Sequence, residues 1–97
     1  MPWRLRRVEV SPIAGKKLRA IFHDADTDKV KHTDFGAAGM DDYTKTHDKE
    51  QRERYRTRHA KDLDTGDYTR AGYLSYYLLW NKKTLAAAVA DYKRRFH

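Results

Sequence analysis

The sequence predicts a mixed α+β domain, with a small antiparallel β-meander of two or three strands followed by three α-helices. Three observations lead there. Residues 3–35 alternate apolar and polar side chains in short runs broken by turn residues, the period-two signature of half-buried strands. The stretch Gly72 to Trp80 is apolar or aromatic nearly all round a helix, with Ser75 the one polar exception, so other elements must cover it on several sides. Finally, Leu85, Val89, Tyr92 and Phe96 repeat at helical spacing, with Ala86 to Ala88 adding propensity.

The first strand, Trp3 to Val10, slips phase: Trp3 and Leu5 are odd, Val8 and Val10 even. A bulge at Arg6 or Arg7 would produce that slip, and bulges suit edge strands. Ser11-Pro12-Ile13-Ala14-Gly15 is turn chemistry. Lys17 to His23 then places Leu18, Ala20 and Phe22 on one face, and Val30 to Phe35 reads as its partner across an Asp24–Asp28 turn. One face of this meander is wet.

Gly36 and Gly39 interrupt any regular element, so the chain to His47 reads as a loop. Asp48 is an acceptable cap for a first helix running to about Lys61, mostly on the surface, with Tyr55, His59 and Leu63 as its inward stripe. The central helix runs from about Thr69 to Trp80. Asn81 can end it in a left-handed conformation or cap the next helix, which covers roughly Lys83 to Phe96.

The 97 residues read as a single domain, with meander 1–36, loop 37–47 and helical part 48–97. Leu, Ile, Val and Phe total only 16, and the net charge is +7, a balance that alone would suggest disorder. Seven Tyr and two Trp oppose that, since each large ring buries about 150–250 Å². The expectation is an ordered domain with an aromatic core. Without cysteine there is neither a disulfide framework nor a thiolate zinc site. Met1 to Val10 carries no apolar run like a signal peptide or membrane span, so the expectation is a protein that is not secreted. Residues 48–97 carry most of the excess positive charge.

Asp34-Phe35-Gly36-Ala37-Ala38-Gly39, Asp42-Tyr43-Thr44, His47-Asp48, Arg58-His59, and Gly72 with Ser75, Leu78-Leu79-Trp80-Asn81-Lys82 and Thr84-Leu85, closed by Arg95-Phe96, form a spaced set. In this set the chain resembles a family of small uncharacterised proteins encoded by large DNA viruses of algae and amoebae. The likeness runs from about Lys16 to Phe96. It departs from the family pattern at Leu74, Tyr76, Tyr77 and Lys83. The resemblance implies a viral protein, placed in the virion or the interior of the infected cell, with a mixed α+β domain. It implies no activity.

The residues themselves point to polyanions. Arg52 and Arg56 stand one helical turn apart, as do Arg54 and Arg58, so two basic stripes flank Tyr55, with Lys61 beyond. Arginine grips phosphate with paired hydrogen bonds that lysine cannot make. Arg94 and Arg95 supply a second cluster. The opposing reading is a solvated face steadied by Glu50–Arg54 and Glu53 pairs. Tyr43, Tyr68, Tyr73, Tyr76 or Tyr77 would stack on bases if exposed, although core packing is the better expectation for the last three.

Other chemistry is weaker. Asp24, Asp26 and Asp28 mimic a calcium loop, but Lys29 and Phe35 stand where such a loop wants Gly and an acid, so a hairpin turn is expected. The glycines at 36 and 39 lack nucleotide-loop spacing, and His47 and His59 have no second ligand at metal spacing. The expectation is therefore a non-enzymatic protein with no cofactor and no metal. It binds nucleic acid without much sequence preference, through Arg52, Arg54, Arg56, Arg58, Lys61, Arg94 and Arg95. The alternative is a minor capsid or virion component that grips acidic protein surfaces and pairs through the strand at Trp3–Val10.

Overall fold

A computed structural model describes residues 3–97, so the first two positions of the Met1–Val10 expectation lie outside the described residues. Three strands, β1 (Trp3–Val10), β2 (Lys16–Asp24) and β3 (Lys29–Ala37), form an antiparallel sheet in the order β1-β2-β3. The phase slip of β1 has its expected cause. Leu5 pairs with Phe22 and Arg7 with Ile21, leaving Arg6 as the bulged residue. The bulge turns Leu5 and Val8 to the same face as Ala20, Phe22 and Phe35, and there they meet the helices.

On the opposite face, Glu9, Arg19 and Asp34 stand side by side across the three strands. The Arg19 guanidinium donates to both Asp34 oxygens, at 3.0 and 3.2 Å, and the Ser11 hydroxyl donates to Asp34 at 2.6 Å. The Arg19 bond, then the Ser11 bond, hold the Asp34 carboxyl below its ordinary pKa. The acidic β2–β3 connection is a turn. Asp24 Oδ1 accepts from the Asp26 and Thr27 amides, while Asp28 takes the left-handed conformation at φ 57°.

The expected 37–47 loop contains a short helix, α1 (Tyr43–Thr46). Asp42 caps it and the left-handed His47 ends it, its N–H closing on the Tyr43 carbonyl. Helix α2 (Lys49–His59) starts where expected, the Asp48 carboxylate accepting from the Glu50 and Gln51 amides, and it tightens into a 3-10 segment, Ala60–Thr65. The central helix begins as α3 (Ala71–Leu74) and widens into a π-helical turn, Ser75–Leu79, in which Trp80 N–H reaches the Ser75 carbonyl at 3.2 Å. Helix α4 (Leu85–Phe96) is capped by Thr84, not Asn81. Thr84 is extended and its hydroxyl accepts from the Ala87 amide, whereas Asn81 is buried and turned toward α4.

The core joins sheet and helices through Phe22, Phe35, Leu74, Leu78, Ala88 and Tyr92, all fully buried. Tyr43 and Tyr68, expected in loops and available to bases, are buried as well. The Tyr68 hydroxyl donates to the Trp3 carbonyl and its own carbonyl accepts from the Tyr92 hydroxyl at 2.6 Å, which ties α4 to the edge strand. Gly36 lies where β3 passes the central helix. Its φ is +79°, and a Cβ there would stand 2.8 Å from Leu79 Cδ1 and 3.1 Å from Lys17 Cβ. Gly36→Ala is expected to cost about 2 kcal/mol, combining left-handed strain with overpacking, as read by urea denaturation. A loss below about 0.5 kcal/mol would contradict this packing.

His97 closes the other side of β1. Leu5 N–H donates to His97 Nε2 at 2.8 Å, which requires that nitrogen to be unprotonated. Burial is the main cause that lowers the His97 pKa, with Arg4 and Lys93 adding to it against a backbone bond that raises it. Below about pH 6.5 the unfolded chain takes up a proton that the folded chain resists. Stability from this contact is therefore full above that pH and declines as pH falls through the lowered folded value. The thermal midpoint of the native protein is expected to drop more between pH 7.5 and 5.5 than that of His97→Ala, and equal drops would refute the role.

Candidate nucleic-acid interface

The π-helical turn ends with carbonyls that have no partner along the helix, and α2 crosses beside them. Arg56 Nη1 donates to the Trp80 carbonyl at 3.0 Å and the Tyr76 carbonyl at 3.4 Å, and Arg52 Nη1 donates to the Asn81 carbonyl at 3.1 Å. A guanidinium at a helix C-terminus is also favoured by the helix dipole. These bonds satisfy carbonyls but neutralise no charge. Only Glu53 pairs with Arg52, at 2.8 Å, and Arg56 has no carboxylate partner among the described residues.

Both arginines also lie over rings. Arg52 Cζ is 4.9 Å from the Tyr43 centroid, and Arg56 Cζ is 4.0 Å from that of Tyr76. Tyr76 meets Tyr77 edge to face at 5.0 Å, and Arg95 Cζ lies 5.2 Å over Tyr77. Arg56, Tyr76, Tyr77 and Arg95 thus form one row, and both tyrosines keep part of their surface in solvent. Tyr73 behaves more like a core residue, its hydroxyl donating to the Leu63 carbonyl at 2.7 Å.

Asp91 organises the end of this row. It is buried, and it accepts from Asn81 Nδ2 at 2.7 Å, Arg95 Nε at 2.7 Å and Arg94 Nη2 at 2.9 Å. Burial pushes its pKa up, but the bonds from Arg95, Asn81 and Arg94 outweigh that and hold it at about 2. Arg94 remains 71% exposed and Arg95 47% exposed at the side chain, so each presents its outer N–H groups to solvent.

Arg54, Arg58 and Lys61 are placed differently. They form an exposed stripe on the far side of α2 and its 3-10 extension, with no hydrogen bond or ion pair among the described residues. The Glu50–Arg54 pair that would have steadied them does not form among those residues. The seven expected residues therefore divide into Arg52, Arg56, Arg94 and Arg95, held by carbonyls or by Asp91, and the free stripe Arg54, Arg58 and Lys61.

Between the two sets lies the Tyr55 stripe. Tyr55 stacks on His59 at 4.1 Å and on Trp80 at 4.4 Å, and His59 Nδ1 is 3.1 Å from Asp62 Oδ2. Burial raises the Tyr55 pKa against a hydrogen bond with Ser75. Sequence spacing put Tyr55 and His59 on one stripe. The reach of Arg52 and Arg56 to another helix left no local sequence signal.

Among the described residues no group of three or more His, Asp or Glu side chains is arranged to hold a metal ion, and no helix is long and apolar enough to cross a membrane. Compared with curated proteins and with solved structures, the chain finds no match. A family model described as a family of unknown function (DUF5754) matches residues 7–59, which take in most of the sheet, α1 and α2 with its four arginines. With more than half of its length matched, the chain belongs to that family of unknown function, DUF5754.

Proposed function

We propose that the protein is a non-enzymatic nucleic-acid-binding accessory protein that contacts phosphates with little sequence preference. The observation that carries this reading is the row Arg56, Tyr76, Tyr77 and Arg95, in which guanidinium groups already lie on partly buried rings that keep some surface in solvent. An arginine fixed in place loses less side-chain entropy on gripping a phosphate than a free one does. The partly exposed tyrosine beside it supplies aromatic surface against which a base can pack. The free cations Arg54, Arg58 and Lys61 extend the footprint to the other side of α2. The resemblance to small proteins of large DNA viruses makes a virion or the interior of an infected cell the proposed setting.

Titration of labelled mixed-sequence oligonucleotides, duplex and single-stranded, tests the reading at low salt. Binding to both is expected, with affinities for different sequences within about threefold, since phosphate contacts carry no sequence information. Failure to bind either form would remove the proposal.

One observation favours a virion structural role as the second reading. Val10, at the open end of edge strand β1, is 80% exposed, which offers an apolar edge to a neighbour. The other end is closed, because the Trp3 carbonyl and the Leu5 amide are taken by Tyr68 and His97. Under this reading sedimentation shows a concentration-dependent oligomer that Val10→Lys dissolves.

A further inference from the structure

A cavity of about 700 Å³ opens on the Tyr55 and Arg58 side of α2, within the usual range for small-molecule sites. Three parts of the fold build it: the glycine-bearing ends of β2 and β3, the Tyr55 side of α2, and the π-helical turn with Trp80. Each wall contributes a different property. At Gly15 and Gly39 the backbone is bare, with nothing within 4 Å of where a Cβ would stand, so these two positions leave their part of the lining open. From α2 and β2 come Arg58 and Lys16, two exposed cations with no hydrogen bond or ion pair among the described residues. The third cation, Lys17, is already held by Asp42 and the Met40 carbonyl. The back wall is apolar and aromatic, with Leu79 and the stacked Tyr55 and Trp80.

The wall that carries Ser75, Leu79 and Trp80 is the π-helical turn itself. Such turns are uncommon and concentrate at functional sites, because the widened backbone gives up regular hydrogen bonding. Its position against this cavity is thus an observation separate from the charges. Exposed unpaired cations and an aromatic wall on one lining are complementary to an anion attached to a ring. Asp41, also on the lining, offers an acceptor to hydroxyl or amino groups of the same ligand.

We propose that this cavity binds a ring-bearing phosphate monoester of nucleotide size, its phosphate on Arg58 and Lys16 and its ring toward Leu79 and the Tyr55–Trp80 stack. The site shares Arg58 with the proposed nucleic-acid footprint but does not depend on that reading, since a mononucleotide can occupy it whether or not the protein grips a polymer.

The test is titration of the protein with AMP, ribose 5-phosphate and inorganic phosphate, followed by amide and indole NMR shifts. AMP is expected to move the Gly39 and Ser75 amides and the Trp80 indole in a saturable way, and to bind more tightly than either fragment. Arg58→Ala and Lys16→Ala, both surface changes that leave the fold intact, are each expected to weaken AMP about tenfold. Arg54→Ala, one turn away on the same stripe and off the lining, is expected to change it less than twofold. Three results would each overturn the proposal: no shifts at those reporters at millimolar AMP, inorganic phosphate binding as tightly as AMP, or Arg54→Ala weakening AMP as much as Arg58→Ala. Oligonucleotide binding weakened about threefold in Arg54→Ala, with AMP binding intact, would separate the two sites.

Discussion

Replacing Arg54, Arg58 and Lys61 by alanine and Arg94 by glutamine is expected to lower affinity for mixed-sequence duplex about a hundredfold. Four exposed charge contacts at roughly 0.7 kcal/mol each give that factor. The choice of positions follows from the bonds each residue makes. Arg54, Arg58 and Lys61 have no partner among the described residues, so alanine removes charge and little else. Arg94 is largely exposed, and glutamine keeps a donor for Asp91. Arg52, Arg56 and Arg95 are left in place because they hold helix carbonyls or the buried carboxylate, and their loss would confuse folding with binding. The thermal midpoint of this variant is expected to stay within a few degrees of the native value. Unchanged affinity would show that the exposed cations take no part in binding.

Asp91→Ala is expected to destabilise the protein by about 3 kcal/mol, lowering the thermal midpoint by roughly 15 °C. The alanine strands the buried Asn81 amide and frees two guanidinium groups that the carboxylate positions. The dependence on pH follows from the lowered pKa. The carboxylate is held at about 2 in the fold against roughly 3.9 unfolded, so its contribution is complete above about pH 4 and is lost as pH falls toward 2. The gap between native protein and variant in urea denaturation should therefore be wide at pH 7 and narrow at pH 2.5. A gap below about 1 kcal/mol at pH 7 would mean that Asp91 is not the anchor of this corner.

The sheet was legible because local pattern determines it. The odd-to-even slip between Leu5 and Val8 could arise only where the chain adds a residue, and the bulge is at Arg6. The α2 start was legible for the same reason, since Asp48 caps through its own side chain. Features set by distant contacts were not. Asn81 reads as a cap in sequence, but Asp91, ten residues away, draws it inward. Tyr43 and Tyr68 sit among polar neighbours, yet tertiary contacts bury both. Within the candidate site, helical spacing separated the two basic stripes of α2 correctly. It could not show that one stripe would cap another helix and lie on Tyr76, because that depends on where the π-helical turn ends.

The most direct test of the nucleic-acid reading is duplex affinity of the native protein across a salt series. Each phosphate neutralised contributes about 0.9 to the slope of log K against log salt. A linear plot whose slope counts several contacts, shallower by about 3 to 4 in the Arg54, Arg58, Lys61 and Arg94 variant, is the predicted result. No binding at low salt, or binding whose slope is the same in native protein and variant, would contradict it.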